Sequence, residues 1–421
     1  MGLRYPSSVW FRIVVAAAIA APAIPLILPA GVFLLEGFFV QLIVVVLWTR
    51  LAMMIAAAVC DRLCRPFGPG RGRPRVTAIV PAYNEEVVIQ GAIRALAGSD
   101  WADLEIIAVD DGSVDATFDR ARALLPQIPN LRVIAQRPNQ GKAAALNRGV
   151  AEATGEIIVV LDADSVLEPD AIRRLAAAFD DPEVAAVAAN VKVGNRNGLL
   201  GVFQSIEYIS SLNIERRAQC WLGWVTTVPG AGGAWRRSAV IAQGGFPPSV
   251  AEDTDLTVRL LRANRKVLFE DRAIVRTEAP ETPIGLFRQR QHWCHGSLDS
   301  AVIHRGGLFR GAWYGRLVGM PNFLYLNAIS PIFAIVLIPV FFVVTPQPLA
   351  LVVIGAIDGL AATFAYLMDR ERKRELLVYP LWRLVYPIFL SITLSILLYR
   401  LARGQKEWVR VKRTGSILSS T

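Results

Sequence analysis

Two carboxylates, Asp162 and Asp164, directly follow an apolar run in the stretch VVLDADSV. The apolar run predicts a buried strand, and two like charges at its end repel one another and lose hydration. A plain turn is therefore the weaker interpretation of this pair. A divalent cation relieves both costs, because carboxylate oxygens suit hard ions such as Mg²⁺ or Mn²⁺, which often hold substrate phosphates as well. The pair predicts a metal site that carries a diphosphate.

Other polar clusters lie where further predicted strands end. The segments RVTAIV, LEIIAVD, LRVIAQ and GEIIVVL have the pattern of strands, and the segments between them have helical periodicity. This alternation with short loops predicts an α/β domain with a mostly parallel sheet. Ligands of such sheets bind beyond the carboxyl ends of the strands. The clusters at residues 83–85, 110–113 and 162–164 are therefore expected to face one site.

Each remaining motif alone also has a purely structural interpretation. VDDGS is compatible with a simple turn, and NQGKAAALN with a helix start that leaves Lys142 in solvent. AEDTDL is compatible with the acidic first turn of a helix, where negative charge is favourable. TVPGAGGAW is compatible with a tight loop before a helix, although its glycines would also let the backbone approach a ligand closely.

Composition and charge indicate a membrane protein. Of 421 residues, 53% are hydrophobic, and the formal net charge is +10. The basic residues cluster beside long apolar runs, which favours membrane orientation over nucleic-acid binding. The four cysteines form neither a disulfide framework nor a metal-binding set with the three histidines, so free thiols in a reducing compartment are expected.

Five apolar runs divide the chain. Each of the first two, at residues 11–34 and 38–59, is long enough to span a bilayer, and an arginine-rich linker follows them. The positive-inside rule then places the next segment in the cytoplasm. The predicted units are a transmembrane helix pair (1–66), an α/β domain (75–278), amphipathic interface helices (279–319), further transmembrane helices (320–400) and a basic tail (401–421).

Six motifs in register carry a resemblance to a known family. VPAYNEE, VDDGS, NQGKAAALN, LDADS, AEDTDL and QRQHW occur in that order. The series resembles the processive, membrane-embedded family 2 glycosyltransferases, which include cellulose, chitin, hyaluronan and poly-N-acetylglucosamine synthases. The likeness covers about residues 76–296 and the flanking apolar runs. It implies a GT-A-like, Rossmann-related cytosolic domain inserted between transmembrane α-helices of the cytoplasmic membrane.

The resemblance also implies a role for particular residues. Asp162 and Asp164 would bind the metal and the diphosphate, Asp253 would be the general base, and Asp111 or Asp110 would contact uracil. The nucleotide-sugar set is Tyr83, Glu85, Asp110, Asp111, Lys142 and Asp162. The acceptor and leaving-group set is Gly232, Glu252, Gln289, Arg290, His292 and Trp293.

The chain departs from the family pattern at two positions. Ala251 replaces the threonine of the TED motif, and His292 replaces the arginine of QxxRW. If His292 serves the diphosphate, the neighbouring anion should raise its pKa above about 6.5. Arg290 lies two residues earlier and does not share the helical face of His292. An amphipathic helix on the membrane surface is the competing interpretation of QRQHW.

The resemblance implies an inverting transfer from a UDP-sugar to a growing β-linked polysaccharide, with coupled export. UDP-N-acetylglucosamine is favoured over UDP-glucose, and Mg²⁺ or Mn²⁺ is the expected cofactor. The expected partners are the donor, the polysaccharide acceptor and the lipid bilayer, with a homo-oligomer or accessory export proteins as further candidates and no nucleic acid. Two alternatives stay open: a single-transfer enzyme with a lipid acceptor, and a non-catalytic scaffold that binds sugar nucleotide.

Overall fold

A computed structural model of the chain describes residues 52–62, 72–308, 319–324, 348–404 and 413–416. Most of the predicted N-terminal helix pair and of the apolar run at 323–344 lies outside these residues, and the described part of the pair, 52–62, is helical. Within the described residues, one helical stretch, Lys373–Ala402, is long and apolar enough to cross a membrane.

Eight strands form a single sheet. In chain order they are β1 (Val76–Ala82), β2 (Leu104–Asp110), β3 (Leu131–Ala135), β4 (Ile157–Val160), β5 (Ser165–Leu167), β6 (Val184–Val193), β7 (Gly233–Arg236) and β8 (Lys266–Thr277). They lie side by side in the order β3-β2-β1-β4-β7-β6-β8-β5. Every residue of β1, β2, β4 and β6 is buried, which explains why these strands are continuous apolar runs.

The expectation of a mostly parallel sheet holds for only half of the sheet. β3, β2, β1 and β4 are mutually parallel, and β6 is parallel to β8. β7 runs antiparallel to both of its neighbours, and β5 runs antiparallel to β8. β7 is reversed because the chain returns to it through the glycine-rich loop at residues 229–232, which lies at the carboxyl end of β4. The sheet is therefore mixed.

Helices cover both faces of the sheet. They are α1 (Ile89–Ala97), α2 (Thr117–Arg122), α3 (Lys142–Glu152), α4 (Ala171–Ala177), α5 (Gly198–Glu207), α6 (Ile214–Trp221), α7 (Arg237–Ala242), α8 (Glu252–Arg262), α9 (Pro283–His304), α10 (Met320–Leu324), α11 (Pro348–Asp369) and α12 (Tyr379–Ala402). A π-helical segment, Tyr208–Asn213, joins α5 to α6. Of these helices, α2 is short and ends at Arg122, four residues before Pro126.

The alternation of side chains along β1 produces two core layers. Val76, Ala78 and Val80 point to one face, where they pack with α1, α2 and α4. Ile79 points to the opposite face, where it packs with α3, α7 and α8. A Cβ added to Gly149 would lie 2.6 Å from Ile79 Cγ2, so the glycine allows α3 to lie directly on the sheet. These two layers fix the start of α3 relative to the strand ends.

The turn between α11 and α12 fastens this helical hairpin to the α/β domain. Asp369 forms an ion pair with Arg217 and accepts a hydrogen bond from Asn213 Nδ2 at 2.9 Å. Glu371 pairs with Lys192 at 2.6 Å and with Arg196 at 2.7 Å. All of these side chains are largely buried. The acids of the sequence DRERKRE thus contact the domain, whereas its four basic residues are exposed.

The segment 279–319, for which amphipathic interface helices are expected, contains α9. α9 is one helix that ends at His304, and residues 309–318 lie outside the described chain. Its buried face is largely polar, because α5, α8 and α12 supply partners for its polar groups. The buried polar side chains are Arg290, Gln291, His295, Ser300 and His304, and the exposed apolar ones are Ile284, Trp293, Val302 and Ile303.

One buried carboxylate joins α8 to α9. Asp255 accepts from Arg259 Nε at 2.8 Å, and its Oδ1 lies 2.9 Å from His304 Nε2. Burial would raise the pKa of Asp255, but the hydrogen bonds from His304 and Arg259 outweigh it and lower the pKa to about 2. The ionised form is therefore stabilised by folding.

We expect Asp255→Asn to lower the free energy of unfolding by about 2 kcal/mol at pH 7. Because the folded pKa lies below the unfolded one, the stabilisation by Asp255 is complete at neutral pH and is lost as pH falls from about 4 toward 2. Chemical unfolding of parent and variant across this range should show the gap shrinking. Asp119→Asn, at an exposed position of α2, is the matched control. A gap that persists unchanged to about pH 2.5 would contradict this assignment.

Candidate active site

Lys142 is the central cation at the carboxyl edge of the sheet. It is the first residue of α3, and its Nζ lies 2.8 Å from Asp162 Oδ1 and 3.1 Å from Glu252 Oε1. Burial alone would lower the pKa of Lys142, but Asp162, Glu252 and Asp253 outweigh it and raise the pKa well above its usual value. The ammonium group thus stays charged and brings together carboxylates from the β4 end and from α8.

A glycine-rich loop passes between Lys142 and Asp253. The amide of Gly230 donates to Asp253 Oδ2 at 2.9 Å, and the amide of Thr254 donates to Oδ1 at 2.6 Å. A Cβ added to Gly230 would lie 2.6 Å from Lys142 Nζ. Only a glycine fits this passage without displacing the lysine.

Sequence reasoning selected Gly232 in this loop, and the structure assigns it a packing role. A Cβ on Gly232 would lie 2.7 Å from Val275 Cγ2 on β8, so this glycine is required for close packing against the sheet. Gly230 is the glycine that lies beside the site carboxylates.

The structure separates the three acids at the start of α8. Glu252 is buried and paired with Lys142, and burial raises its pKa more than the lysine lowers it. Asp255 is bound to Arg259 and His304 as described above. Asp253 points into the cleft, where its two oxygens contact backbone amides. Of the three, Asp253 is the one whose oxygens are held by backbone amides in the described structure.

Asp164 is neutralised by the C-terminal tail. Its carboxylate forms an ion pair with Arg413 and accepts from Ser165 Oγ at 3.1 Å and Thr277 Oγ1 at 3.3 Å. Burial raises its pKa, Arg413 lowers it, and the net shift is upward. The amides of Thr414 and Gly415 donate to Glu278 at 2.8 and 2.9 Å, which holds this stretch of the tail beside β8.

The pair Asp162 and Asp164 fits a divalent cation that shares its shell with phosphates. Across the described ranges, no three His, Cys, Asp or Glu side chains converge as a complete metal cage. Mg²⁺ is commonly bound by one or two carboxylates plus substrate phosphates, which is what a two-acid site offers. The upward pKa shift of buried Asp164 indicates a carboxylate that a nearby cation would stabilise further.

Asp110 and Asp111 have different tasks. Asp111 accepts four hydrogen bonds that shape the loop before α3, from Gln136 Nε2, Asn139 Nδ2, Gln140 N and Gly141 N at 2.7–2.9 Å. Asp110 is buried, neither of its oxygens has a hydrogen-bond partner in the described structure, and Arg137 Nη2 lies 3.8 Å away. Asp110 is therefore the acid that remains able to accept an N–H from a nucleobase.

Tyr83 and Glu85 lie in the turn that follows β1. Asn84 between them has φ of 54°, a left-handed conformation that asparagine tolerates, and its amide donates to Ser113 Oγ at 2.9 Å. The amide of Glu85 donates to Thr117 Oγ1 at 2.7 Å. The turn is thus tied to the segment after β2 on the same edge of the sheet as Asp110.

Arg290 does not reach the carboxylates at the strand ends. It is buried in α9, where it forms an ion pair with Glu207 and lies over the Trp293 ring, 4.2 Å from the ring centroid. Gln289 Oε1 accepts from Arg290 as well. In the described structure Arg290 is thus bound to Glu207 and Trp293, and its expected role at the leaving group stays a prediction.

His292 faces the cleft from the exposed side of α9. Loss of hydration in the cleft and then the charge of Lys142 lower its pKa below 6.5, while Asp253 opposes the shift. The raised pKa expected for a histidine at a diphosphate is not found in the ligand-free site. The lowered pKa favours the uncharged imidazole of His292.

Sequence reasoning missed Arg216 on α6. Its Nη1 is buried and has no hydrogen-bond partner in the described structure. Burial lowers the pKa of Arg216, and the charges of Tyr208 and Asp253 act in the opposite direction, which shows that the guanidinium lies within electrostatic reach of Asp253. A buried donor without a partner is costly, and an anion would satisfy it. The sequence of α6 contains no motif that would single out Arg216, apart from the Arg-Arg dipeptide in which it lies.

Comparisons with known proteins agree with this geometry. Residues 77–244 match the family described as Glycosyl transferase family 2. The chain is 30% identical over 226 residues to the poly-beta-1,6-N-acetyl-D-glucosamine synthase of Staphylococcus aureus, and the alignment covers 53% of this chain and 55% of the relative. The synthase of Staphylococcus epidermidis is 29% identical over the same length. The chain therefore spans about half the length of the curated relatives that it matches.

A solved structure has the same fold. The mannosyltransferase of Pyrobaculum calidifontis, determined with GDP-Man and Mn²⁺, has a TM-score of 0.63 and 21% identity to this chain, and the match covers 93% of this chain and 100% of that one. At this identity the likeness establishes the fold alone, which is GT-A-like. Residues 77–244 are thus similar in sequence to glycosyl transferase family 2 domains.

Proposed function

We propose that this chain is an inverting glycosyltransferase that moves a sugar from a UDP-sugar to the growing end of a β-linked polysaccharide at the cytoplasmic face of a membrane. The observation that carries this proposal is the meeting of Asp162, Glu252 and Asp253 around Lys142 at the carboxyl edge of the sheet. Asp110 supplies a base-reading acceptor on the same edge. A sensor or scaffold would have no need of a cleft-facing carboxylate such as Asp253.

The acceptor hydroxyl loses its proton to Asp253 in the proposed reaction. Backbone amides of Gly230 and Thr254 hold both carboxylate oxygens and fix their direction. The positive charge of Lys142 offsets the negative charges of Asp162 and Glu252, which would otherwise repel the carboxylate of the base. A base opposite the leaving group produces inversion at the anomeric carbon.

The leaving diphosphate is neutralised by positive charge on the other side of the site. A cation held by Asp162 and Asp164 supplies Lewis-acid neutralisation of the diphosphate when bound. The Mn²⁺ in the mannosyltransferase of similar fold supports this assignment. Lys142 adds a fixed ammonium beside Asp162. Arg216, whose Nη1 has no hydrogen-bond partner in the described structure, is the candidate for the positive charge that the lowered pKa of His292 disfavours.

N-acetylglucosamine is the proposed sugar, because the staphylococcal relatives are poly-beta-1,6-N-acetyl-D-glucosamine synthases. The span-length stretch Lys373–Ala402 and the contact of its neighbouring turn with the domain support a membrane location for the transfer. Processive elongation with coupled export, and a homo-oligomer or export partners, belong to the same proposal.

The deciding experiment supplies single UDP-sugars to the purified full chain in lipid and measures UDP release and product size. A ladder of long products supports the polysaccharide synthase. A single transfer to lipid would replace it with the lipid-acceptor alternative, and binding without UDP release would leave the scaffold.

We expect turnover to require a divalent cation. A chelator should abolish UDP release, and Mg²⁺ or Mn²⁺ should restore it, because Asp162 and Asp164 present adjacent acids at one strand end. Asp164→Asn should raise the concentration of Mn²⁺ that gives half-maximal activity, whereas Asp119→Asn should not. Full turnover in chelator would refute the cation assignment.

We expect Asp253→Asn to bind the donor as the parent does and to turn over about 10²–10⁴-fold more slowly, because the amide keeps the shape and cannot accept the proton. Donor binding is followed by calorimetry and turnover by UDP release. Asp255→Asn, two residues along the same helix, should lose stability and keep most of its turnover per folded molecule. The reverse pattern would show that the base is misassigned.

We expect Arg216→Gln to lower kcat about 10²-fold, a typical cost of removing one donor to a developing anion. Arg148→Gln, whose surface pair with Glu152 lies on the outside of α3, is the matched control. His292→Arg should leave the pH–rate profile unchanged above pH 7, because the lowered pKa of His292 favours its uncharged form. If the activity of the parent declined at alkaline pH and His292→Arg removed that decline, His292 would be the residue that supplies the positive charge.

A further inference from the structure

An open cavity of about 360 Å³ lies at the C-terminal ends of α7 and α8. The described residues that line it are Gln243, Arg259, Arg262 and Ala263, and no carboxylate belongs to this described lining. Asp253 and Arg262 are nine residues apart on α8, which is about 13 Å along the helix axis. The cavity is therefore separate from the carboxylates around Lys142.

Arg259 is held at the wall of this cavity by a buried carboxylate. Its Nε donates to Asp255 Oδ1 at 2.8 Å, and its Nη2 donates to Asp255 Oδ2 at 3.3 Å. Asp255 is buried, so this fork fixes the plane of the guanidinium. The third nitrogen, Nη1, makes no hydrogen bond within the described residues and stays available to a ligand.

Arg262 is oriented by a histidine on α9. Its Nη1 lies 3.2 Å from His304 Nδ1, and His304 Nε2 lies 2.9 Å from Asp255 Oδ1. Because a guanidinium only donates, Nδ1 is the acceptor and the proton on Nε2 points to Asp255. In the described part of the chain, no carboxylate lies within ion-pair distance of Arg262. Its remaining donors are therefore free for another acceptor.

The cavity thus carries positive charge that the protein does not balance. Arg259 and Arg262 are three residues apart, so they share a face of α8 and their charges repel. The single charge of Asp255 neutralises only one of them. The helix dipole favours basic residues in a last turn, but solvent and salt screen this effect and it leaves the repulsion in place. An anion in the cavity would remove it.

The other wall of the cavity is fixed before any ligand arrives. In the loop after α7, the amide of Phe246 donates to Asn147 Oδ1 at 2.7 Å, and Asn147 Nδ2 donates to the Phe246 carbonyl at 2.8 Å. Gly245 has φ of 87°, and a Cβ there would lie 2.4 Å from Asn147 Oδ1. This loop is therefore pinned to α3, which fixes Gln243 two residues before Gly245.

We propose that Gln243, Arg259 and Arg262 form a binding site for a phosphate-bearing anion. Three side chains supply N–H donors to one cavity, and a phosphate group offers three acceptor oxygens where a carboxylate offers two. The volume lies near the lower end of the range of about 300–1,000 Å³ for small-molecule sites, which suits a phosphate with a small substituent. A soluble phosphate ester and the headgroup of an anionic lipid share this chemistry. The site does not depend on the proposed sugar transfer.

The experiment measures the binding of inorganic phosphate and of glycerol phosphate by calorimetry. The full chain is held in phosphatidylcholine nanodiscs at physiological ionic strength. Arg262→Gln should weaken binding about 10-fold, because it removes a charged donor. Gln243→Leu should weaken it about 3-fold through the loss of a neutral donor. If Arg262→Gln fails to fold without its contact to His304, Gln243→Leu decides, because Gln243 lies outside the contacts of Asp255.

Arg265→Gln is the matched control. It removes the same charge just beyond the end of α8, where Arg265 Nη2 donates to the Pro182 carbonyl at 3.0 Å. Arg265 is not among the described residues that line the cavity, so this variant should bind phosphate as the parent does. An equal loss of binding in Arg262→Gln and Arg265→Gln would show unspecific attraction by positive charge and would overturn the site.

A comparison of lipids identifies the source of the phosphate. In nanodiscs that mix phosphatidylglycerol with phosphatidylcholine, a headgroup site should enrich phosphatidylglycerol around the parent, and Arg262→Gln should abolish the enrichment. A site for a soluble ester should bind glycerol phosphate equally well in both kinds of nanodisc and show no enrichment. The proposal is wrong if the parent binds neither phosphate compound and also retains the two lipids equally.

Discussion

The constraint on which the site depends is the crowding of negative charge at one edge of the sheet. Asp162, Glu252 and Asp253 all act on the single ammonium of Lys142, and Asp164 lies two residues beyond Asp162. Four carboxylates cannot stay ionised together in a partly buried cleft without fixed positive partners. Lys142, Arg413 and the amide of Gly230 meet this need in the ligand-free chain. The same requirement makes the edge receptive to a cation with a diphosphate.

A second set of buried charges holds the helices in relation to that edge. Lys192 and Arg196 extend from β6 and the residues after it to the acids of the turn after α11, and Arg217 of α6 binds Asp369. Buried ion pairs add little net stability, yet breaking one partner is costly, so they favour one arrangement over others. The turn therefore sets the direction in which α12 leaves the domain. This direction brings Tyr386 to Arg290.

Much of the arrangement at the carboxyl edge of the sheet could be predicted from the sequence. Buried parallel strands need uninterrupted apolar residues, so β1, β2 and β4 and the polar positions after them could be read from local pattern alone. Lys142 and the acids of LDADS then meet because the parallel strands β3 and β4 end at the same edge of the sheet. Local pattern could not give the direction of β7, since that depends on where the loop before it approaches the sheet. The local pattern also could not distinguish Asp253 from Asp255, because the two differ by a contact of Asp255 with His304, which lies on another helix.

The contacts of α9 could not be predicted from the sequence, because helical periodicity identifies a face of the helix without showing which elements cover it. Arg290 and His292 lie two positions apart, so one of them had to face inward, and the pattern alone favoured neither. Arg290 faces inward because it forms an ion pair with the carboxylate of Glu207 at the end of α5, and His292 then lies on the exposed side of α9. The contacts at the edge of the sheet are therefore electrostatic, whereas the contacts of α9 are stacking contacts. The carboxylates around Lys142 and the indole on α9 are held by different elements. A shift of α12 would therefore move the indole while the carboxylates around Lys142 kept their places.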